Sequence, residues 1–205
     1  MQIIARMNVG GPAVLVADLM RNLDSSKFET RLVTGYCDEN ESDYLDEVAT
    51  DIKAIRIPGL GRSISIGKDL KAFFLLMRVI WRFKPDVVHT HTAKAGVLGR
   101  VATFLARPTA KRIHTFHGHL IYGYFARYKS WIFTIIEKFM ARYTDAAVAV
   151  TNETKQSLTK LGIGKRLLWR IIQIGIPVKS IALNQPSDGI LKMLWVGRFT
   201  DIKDP

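Results

Sequence analysis

Apolar residues along the chain alternate between short β-branched or alanine-rich runs and longer stretches with helical spacing. The short runs predict strands at residues 2–5, 29–34, 52–57, 86–91, 112–116, 146–150 and 171–176. The intervening stretches predict helices at residues 14–23, 69–83, 95–106, 124–143 and 152–161. Because these strands are almost continuously apolar and alternate with helices, we predict an α/β fold with a parallel sheet covered by helices on both faces.

Two of the predicted helices differ in how their apolar residues are distributed. The helix at residues 69–83 is apolar on nearly every side, which predicts that it lies in the core. The helix at residues 124–143 has one apolar face, which predicts packing on the sheet with its basic face in water. An alternative is that the basic, aromatic region 107–143 rests on an anionic membrane surface.

The last part of the chain predicts a second domain that is only begun. Residues 184–189 are polar and contain proline and glycine, as a linker does. They separate a first domain, residues 1–183, from residues 190–205, where an apolar strand is followed by Gly197 and Arg198. The first strand also looks clipped, so we expect a truncated chain that holds one α/β unit and the incomplete beginning of another.

Composition and charge narrow the range of partners. The formal net charge of +12 attracts polyanions such as nucleic acid, anionic lipid or phosphorylated small molecules. No zinc-finger pattern or aromatic RNA-binding signature occurs in the sequence, so nucleic acid is not expected. The single cysteine, Cys37, cannot form an intrachain disulfide, and no leader-like or membrane-spanning apolar stretch occurs. We therefore expect a cytoplasmic protein, with peripheral attachment to the inner face of the cell membrane as an alternative.

A glycine-containing loop follows the first predicted strand. Parallel sheets bind ligands beyond the carboxyl ends of their strands, so residues at these positions are candidates for a site. Gly10 and Gly11 would let the backbone approach a ligand closely, and the free N–H groups of the next helix attract anions. The loop matches neither GxGxxG nor a Walker sequence, so a tight turn between strand and helix is the alternative.

Histidines follow the next strands in the sheet. His89 and His91 are two residues apart and share one face of their strand, and with Lys94 they predict a cationic or proton-transferring corner. The strand after it leads to His114, His117 and His119. We interpret His89 and His114 as structural, and His117, beside a glycine in a strand-end loop, as functional. Histidine is also a common metal ligand, but no HExxH occurs and no carboxylate is close in sequence to His117, so no metal is predicted.

Cationic residues flank the loop after the last predicted strand. Arg198 and Lys203 in this loop would neutralise a diphosphate, because a guanidinium and an ammonium are its usual protein partners. The alternative is a basic loop that is simply solvated.

Four segments of the chain together resemble the family 4 retaining glycosyltransferases. They are RMNVGGPA at residues 6–13, PDVVHTHTAKAG at residues 85–96, HTFHGH at residues 114–119, and VGR at residues 196–198 with Lys203. Their order and spacing agree over nearly the whole chain, and the resemblance is greatest to bacterial enzymes that build capsule, exopolysaccharide or lipid-linked oligosaccharide. By resemblance, the chain is the N-terminal half of a two-domain GT-B enzyme with a Rossmann-like sheet, plus the first strand of the C-terminal domain.

The resemblance implies a reaction and a site. The enzyme would move a sugar from a nucleotide-diphosphate sugar to a glycan or polyprenyl-linked acceptor, with retention of configuration, in surface polysaccharide synthesis. Gly10 and Gly11 would approach the donor diphosphate, Arg198 and Lys203 would neutralise it, and neither a metal nor another cofactor would be needed. His117 would be the catalytic residue, orienting a hydroxyl near the sugar. The acceptor side would comprise Asn8, His91, Lys94 and His119.

One motif of the family is absent from its expected place. The second domain of these enzymes carries Glu-x7-Glu, and the pair with that spacing here, Glu39 and Glu47, lies in the first domain. We interpret this pair as coincidental and expect the isolated chain to be inactive. Two alternatives stay open. One is a sugar-nucleotide epimerase of GT-B type, which needs acid/base carboxylates that do not stand at these strand ends. The other is a non-enzymatic module that binds anionic lipid or another polyanion.

Overall fold

Seven strands form one parallel sheet in the computed structural model, which describes residues 1–118 and 127–175. In chain order they are β1 (Gln2–Ile4), β2 (Leu32–Thr34), β3 (Ala54–Arg56), β4 (Val87–His91), β5 (Lys111–Phe116), β6 (Ala146–Ala149) and β7 (Leu168–Ile171). Their order across the sheet is β3-β2-β1-β4-β5-β6-β7, and every neighbouring pair is parallel. The predicted α/β class with a Rossmann-like parallel sheet is confirmed.

Helices connect the strands and lie on both faces of the sheet. They are α1 (Gly11–Asn22), α2 (Tyr44–Glu47), α3 (Ile66–Phe83), α4 (Ala93–Ala106), α5 (Arg127–Met140) and α6 (Asn152–Lys160), with a 3-10 turn at Ala141–Tyr143. Ile3 of β1 lies in one apolar cluster with Leu76 of α3. Its neighbour Ile4 lies in a second cluster with Val16 of α1, because successive strand residues point to opposite faces. No helix within residues 1–118 and 127–175 has the length and apolar character needed to span a bilayer.

The long helix α3 is more exposed than its sequence predicts. It stops at Lys84, whose φ of 51° is left-handed, directly before Pro85. Its buried positions are Ala72, Leu76 and Ile80, which lie one turn apart. The prediction that this helix lies wholly in the core is wrong, because the sheet and α4 cover only one side of it. On the other side, Trp81 is 64% exposed.

Helix α5 faces the opposite way from its prediction. The buried side chains on it include Thr134, Glu137 and Met140. Most of its large apolar side chains are exposed instead, and Trp131 is 65% exposed. The prediction that the apolar face packs on the sheet is wrong. The physical reason is that Glu137 meets a buried partner, Arg100 of α4, and a carboxylate is buried only where such a partner exists.

The strand β7 begins earlier than the apolar residues predict. The sequence predicts a strand at residues 171–176, whereas β7 ends at Ile171, so this prediction is wrong by about three residues at its start. Parallel pairing with β6 determines the position, since Leu168 lies opposite Ala146 and Ile171 lies opposite Ala149. The extent of a strand depends on the neighbour with which it pairs, and a local run of apolar residues does not specify that neighbour.

The order of the strands reverses between β1 and β4. From β1, the sheet grows through β2 and β3 on one side and through β4 to β7 on the other. Open α/β sheets bind their ligands in the crevice at the carboxyl ends of the strands at such a reversal. The candidate site therefore lies in the loops that follow β1, β4 and β5.

Candidate functional site

Three histidine rings lie side by side at the carboxyl ends of β4 and β5. His89 and His91 project from β4, and their ring centroids are 4.2 Å apart. His117 follows β5, and its Nε2 atom lies 3.0 Å from Nδ1 of His91. The prediction that His89 and His91 share a face is confirmed. Because β5 pairs with β4 in parallel register, it delivers His117 to the same edge of the sheet.

The three imidazoles are uncharged at neutral pH. Burial lowers the pKa of His89 to about 4, and it lowers the pKa of His117 to about 4 as well. Burial also moves the pKa of His91 well below its ordinary value. The predicted cationic corner is therefore wrong for the histidines, because a charged ring would lose its hydration here. They act as neutral donors and acceptors of hydrogen bonds.

One ring nitrogen of His117 is unpaired in the described part of the chain. Nε2 of His117 contacts His91, whereas Nδ1 is buried and forms no hydrogen bond. Leaving a buried polar atom unpaired costs about 1–3 kcal/mol. Such an atom calls for an explanation, and pairing with a ligand provides one. Within the described residues, Nδ1 of His117 is thus left without a hydrogen-bond partner, which a ligand that reaches it would supply.

His91, which the sequence predicts on the acceptor side, is fully enclosed. It is 0% exposed, and its Nε2 lies 2.9 Å from Oε1 of Gln2, a buried residue of β1. A direct contact with an acceptor is closed to His91, so that prediction is corrected: it contacts His117 instead. Sequence reasoning missed Gln2. The available signal was an amide within a buried apolar strand, since such a group must find a partner.

The remaining two histidines have partners within the sheet. Nε2 of His89 lies 2.6 Å from Oγ1 of Thr115. Nδ1 of His114 lies 2.9 Å from Oγ1 of Thr90. A Cβ on Gly96 would lie only 2.5 Å from the His114 ring, so α4 packs directly on that ring. These contacts fit the interpretation of His89 and His114 as structural residues.

Lys94 has a separate set of partners. Its ammonium donates to the carbonyl oxygens of Gly59 and Ser63, at 2.6 and 2.5 Å, and forms an ion pair with Asp69 of α3. Two of the three ammonium hydrogens are thus in hydrogen bonds, and the positive charge is paired with Asp69. The structure does not bring Lys94 to the histidines; it joins the loop at residues 59–63 to the start of α3. Its acceptor-side role stays a prediction that requires these contacts to open.

The glycine loop after β1 is anchored at its base and open where α1 begins. The N–H of Val9 donates to the carbonyl of Ser42 at 3.0 Å, and Asn8 forms a β-bridge with Asp43. α1 begins at Gly11, and no side chain caps its N-terminus. A Cβ on Gly11 would have no heavy atom within 4 Å, so the backbone surface there is accessible. This is the geometry that the predicted anion contact requires.

Several sequence predictions fall on residues that the structure does not describe. They concern the site residues His119, Arg198 and Lys203, the linker at residues 184–189 and the second domain at residues 190–205. These roles and boundaries stay predictions. Within residues 1–118 and 127–175, no three His, Cys, Asp or Glu side chains are placed to hold one metal ion.

A comparison with models of known protein families identifies the family of this chain. The model of Glycosyltransferase Family 4 matches residues 9–178. The chain belongs to glycosyltransferase family 4. The matched residues of this family 4 chain include every element from α1 to β7, together with the site histidines at the ends of β4 and β5.

One curated protein and two solved structures illustrate what this family 4 chain is similar to. The UDP-Gal:alpha-D-GlcNAc-diphosphoundecaprenol alpha-1,3-galactosyltransferase of Escherichia coli is 32% identical over 140 residues, which are 67% of this chain and 34% of that protein. The sucrose-phosphate synthase structure from Thermosynechococcus elongatus has a TM-score of 0.63 at 17% identity, covering 85% of this chain and 48% of its own. The UDP-GlcNAc 2-epimerase structure from Methanocaldococcus jannaschii has a TM-score of 0.54 at 12% identity, covering 83% and 44%.

These similarities carry different weight. At 17% and 12% identity, the two solved structures show a shared fold and no shared reaction. The family match and the galactosyltransferase relative support membership of glycosyltransferase family 4. The chain spans about a third of the length of that curated relative.

Proposed function

We propose that this chain is the acceptor-side half of a two-domain GT-B glycosyltransferase. The enzyme transfers a sugar, with retention of configuration, from a nucleotide-diphosphate sugar to a glycan or polyprenyl-linked acceptor in surface polysaccharide synthesis at the cytoplasmic side of the membrane. The observation that carries the proposal is the buried, unpaired Nδ1 of His117 at the end of β5 in a family 4 chain. Support for the substrate classes comes from the name of the relative, which specifies UDP-Gal and a diphosphoundecaprenol-linked sugar.

Each proposed role follows from the chemistry of the group concerned. The lone pair on Nδ1 of neutral His117 accepts a hydrogen bond, so this catalytic residue orients a substrate hydroxyl. Gly10 and Gly11 present backbone N–H groups to the donor diphosphate. Arg198 and Lys203 offset the negative charge that grows on the leaving diphosphate, so the mechanism requires no metal ion. The acceptor side comprises Asn8, Lys94 and His119.

The pKa values of two carboxylates near the glycine loop favour sugar transfer over epimerisation as the reaction. Epimerisation requires acid/base groups whose pKa lies near neutrality. The hydrogen bond from Arg6 lowers the pKa of Glu41. Burial by itself raises the pKa of Asp43, but hydrogen bonds from Arg56 and a backbone N–H outweigh it, and the pKa is lowered. Both groups therefore stay ionised at neutral pH and are poorly suited to exchange a proton with a substrate.

The proposal is tested by comparing the chain with a fusion to the donor-binding half of the galactosyltransferase relative. Each protein is incubated with UDP-galactose and a polyprenyl-diphosphate-linked acceptor in the presence of a metal chelator. We expect transfer with retained configuration by the fusion and none by the chain alone, because a half-site cannot hold the donor diphosphate. Sugar transfer by the chain alone would contradict the proposal that the chain holds only half of the active site. Epimerisation of the donor without an acceptor would favour the epimerase.

We also propose that the exposed apolar surface of α5 contacts the membrane that contains the polyprenyl acceptor. This surface, the α5 face, consists of Trp131, Ile132, Ile135, Ile136 and Phe139. Arg142 lies beside it, with its guanidinium 5.8 Å from the ring of Phe139. An apolar surface bordered by cations, on a chain of net charge +12, is complementary to an anionic lipid surface.

Replacing Trp131 by glutamate is expected to weaken binding to phosphatidylglycerol-containing vesicles severalfold. The substitution removes apolar area and adds a charge that anionic lipid repels. The matched control is Trp81→Glu on α3, because Trp81 is as exposed as Trp131 but lies on another surface. Co-sedimentation at low and physiological salt measures the effect. Equal losses in both variants would contradict the assignment to the α5 face and indicate attraction by charge alone.

A further inference from the structure

A path of consecutive hydrogen bonds runs from β1 through β4 to the loop after β5. Oε1 of Gln2 lies 2.9 Å from Nε2 of His91, and Nδ1 of His91 lies 3.0 Å from Nε2 of His117. Gln2 is 8% exposed and His91 is completely buried. Water is therefore excluded from the middle of this hydrogen-bond path. Each hydrogen in the path must lie between two protein atoms.

The position of every hydrogen follows from the amide. An amide oxygen can only accept, so Nε2 of His91 carries a hydrogen. Burial keeps His91 neutral by lowering its pKa, and a neutral imidazole has one N–H. Nδ1 of His91 must then accept, which places the hydrogen of neutral His117 on its Nε2. The lone pair that remains is on Nδ1 of His117, the atom that is buried without a partner.

We propose that Gln2 and His91 are positioning residues that hold His117 in its Nε2–H tautomer and present its Nδ1 as a permanent acceptor. The hydrogen bond at one ring nitrogen determines the protonation of the other, and it also limits rotation of the ring. The inference rests on the proposed function for the use of that acceptor, which is to bind a substrate hydroxyl. A carboxylate and the diphosphate of a nucleotide sugar have no hydrogen to donate at neutral pH, so Nδ1 discriminates against these anions.

The adjacent histidine provides an internal comparison. The ring of His89 stacks on His91, but Nε2 of His89 is bonded to Thr115, outside the path from Gln2 to His117. Thr115→Val therefore removes a hydrogen bond of the same sheet edge while leaving the path intact. Gln2→Leu removes the amide oxygen that begins the path. The two variants perturb the two strands that flank β4, namely β1 and β5, and differ in whether the path is interrupted.

Nitrogen-15 NMR of ring-labelled histidines tests the proposal in the chain itself at neutral pH. We expect a protonated Nε2 and an unprotonated Nδ1 on both His91 and His117. In Gln2→Leu, both tautomers of His117 should appear, since either nitrogen of His91 can then carry the hydrogen. Thr115→Val should leave the single tautomer of His117 unchanged.

Two results would overturn the proposal. One is a protonated Nδ1 on His117 in the unaltered chain. The other is an unchanged single tautomer of His117 in a Gln2→Leu chain whose amide spectrum shows the native fold. If Gln2→Leu does not fold, Gln2→Met replaces it, because methionine keeps the length of the side chain without the amide oxygen.

Kinetics of the two-domain fusion separate this proposal from the proposed function. We expect Gln2→Leu to lower kcat about tenfold with little change in the donor KM, as loss of an orienting partner does. In a His117→Ala background, Gln2→Leu should have no further effect, because the two residues act through one group. If Gln2→Leu changes the tautomers as expected but leaves kcat unchanged, the catalytic role of His117 is contradicted. The role of Gln2 and His91 in positioning its ring would still hold.

Discussion

Replacing Glu137 by alanine is expected to lower the free energy of unfolding by about 3–5 kcal/mol. Both carboxylate oxygens of Glu137 accept hydrogen bonds from Arg100, at 2.8 and 2.9 Å, and both side chains are 1% exposed. A guanidinium does not lose its proton inside a protein. The variant would therefore bury a charge without its counter-ion, which is the source of the expected loss. Urea unfolding at neutral pH measures the difference.

The other contacts of Arg100 explain why the guanidinium cannot easily move to water. Its Nε donates to the carbonyl of Gly96 at 2.7 Å, and a terminal nitrogen donates to Oγ1 of Thr144 at 3.1 Å. These bonds keep the cation between α4 and the end of α5 after the carboxylate is removed. Relief by rotation into solvent would break both of them.

Two controls separate burial from ion pairing as such. Asp51→Ala removes the carboxylate from a surface pair with Arg21, and we expect a much smaller loss there because solvent screens an exposed pair. The double variant Arg100→Met with Glu137→Leu removes both charges together and should be far less destabilising than Glu137→Ala alone. Equal losses of unfolding free energy for Glu137→Ala and Asp51→Ala would contradict the argument that burial makes the Arg100–Glu137 pair important for stability.

Replacing His117 by alanine in the two-domain fusion is expected to lower kcat about 100-fold. Without Nδ1, the substrate hydroxyl loses the group that orients it, and a misplacement of about 1 Å costs on the order of 100-fold in rate. Affinity for the nucleotide sugar should change little, because the proposed diphosphate contacts come from Gly10, Gly11, Arg198 and Lys203. Steady-state kinetics measure kcat, and calorimetry measures the affinity.

His89→Phe is the matched control for this variant. It keeps an aromatic ring stacked on His91 and removes only the contact with Thr115, so kcat should be nearly unchanged. A kcat for His117→Ala equal to that of the unaltered fusion would remove His117 from the site. A large loss of nucleotide-sugar affinity in His117→Ala would instead place the ring against the diphosphate.

The local sequence was sufficient to predict the strands whose ends carry the candidate site. The predicted strands at residues 86–91 and 112–116 agree within one residue with β4 and β5, because short runs rich in β-branched residues and bounded by helix signals are encoded locally. Alternation with helices then predicted a parallel sheet, and a parallel sheet collects its strand ends at one edge. The arrival of His91 and His117 at the same edge follows from these two steps.

Local sequence was not sufficient for the orientation of the helices. The spacing of apolar residues in α5 showed correctly that Trp131 and Phe139 share a face, yet that face is exposed. Periodicity defines which residues lie together, whereas burial depends on what the rest of the chain places opposite them. For α5 the decisive group is Arg100, 37 positions away from Glu137 in the sequence.

The sequence by itself determined the fold class, the family motifs and the edge of the sheet where the site lies. Only the tertiary structure decided that the histidines are uncharged, that His91 is enclosed and that Nδ1 of His117 is buried without a partner among the described residues. The reason is the range of the interactions. Gln2 and His91 are 89 positions apart, and their hydrogen bond exists only after β1 and β4 have paired in register. Burial and hydrogen-bond partners are properties of packed neighbours, and these neighbours are distant in the sequence.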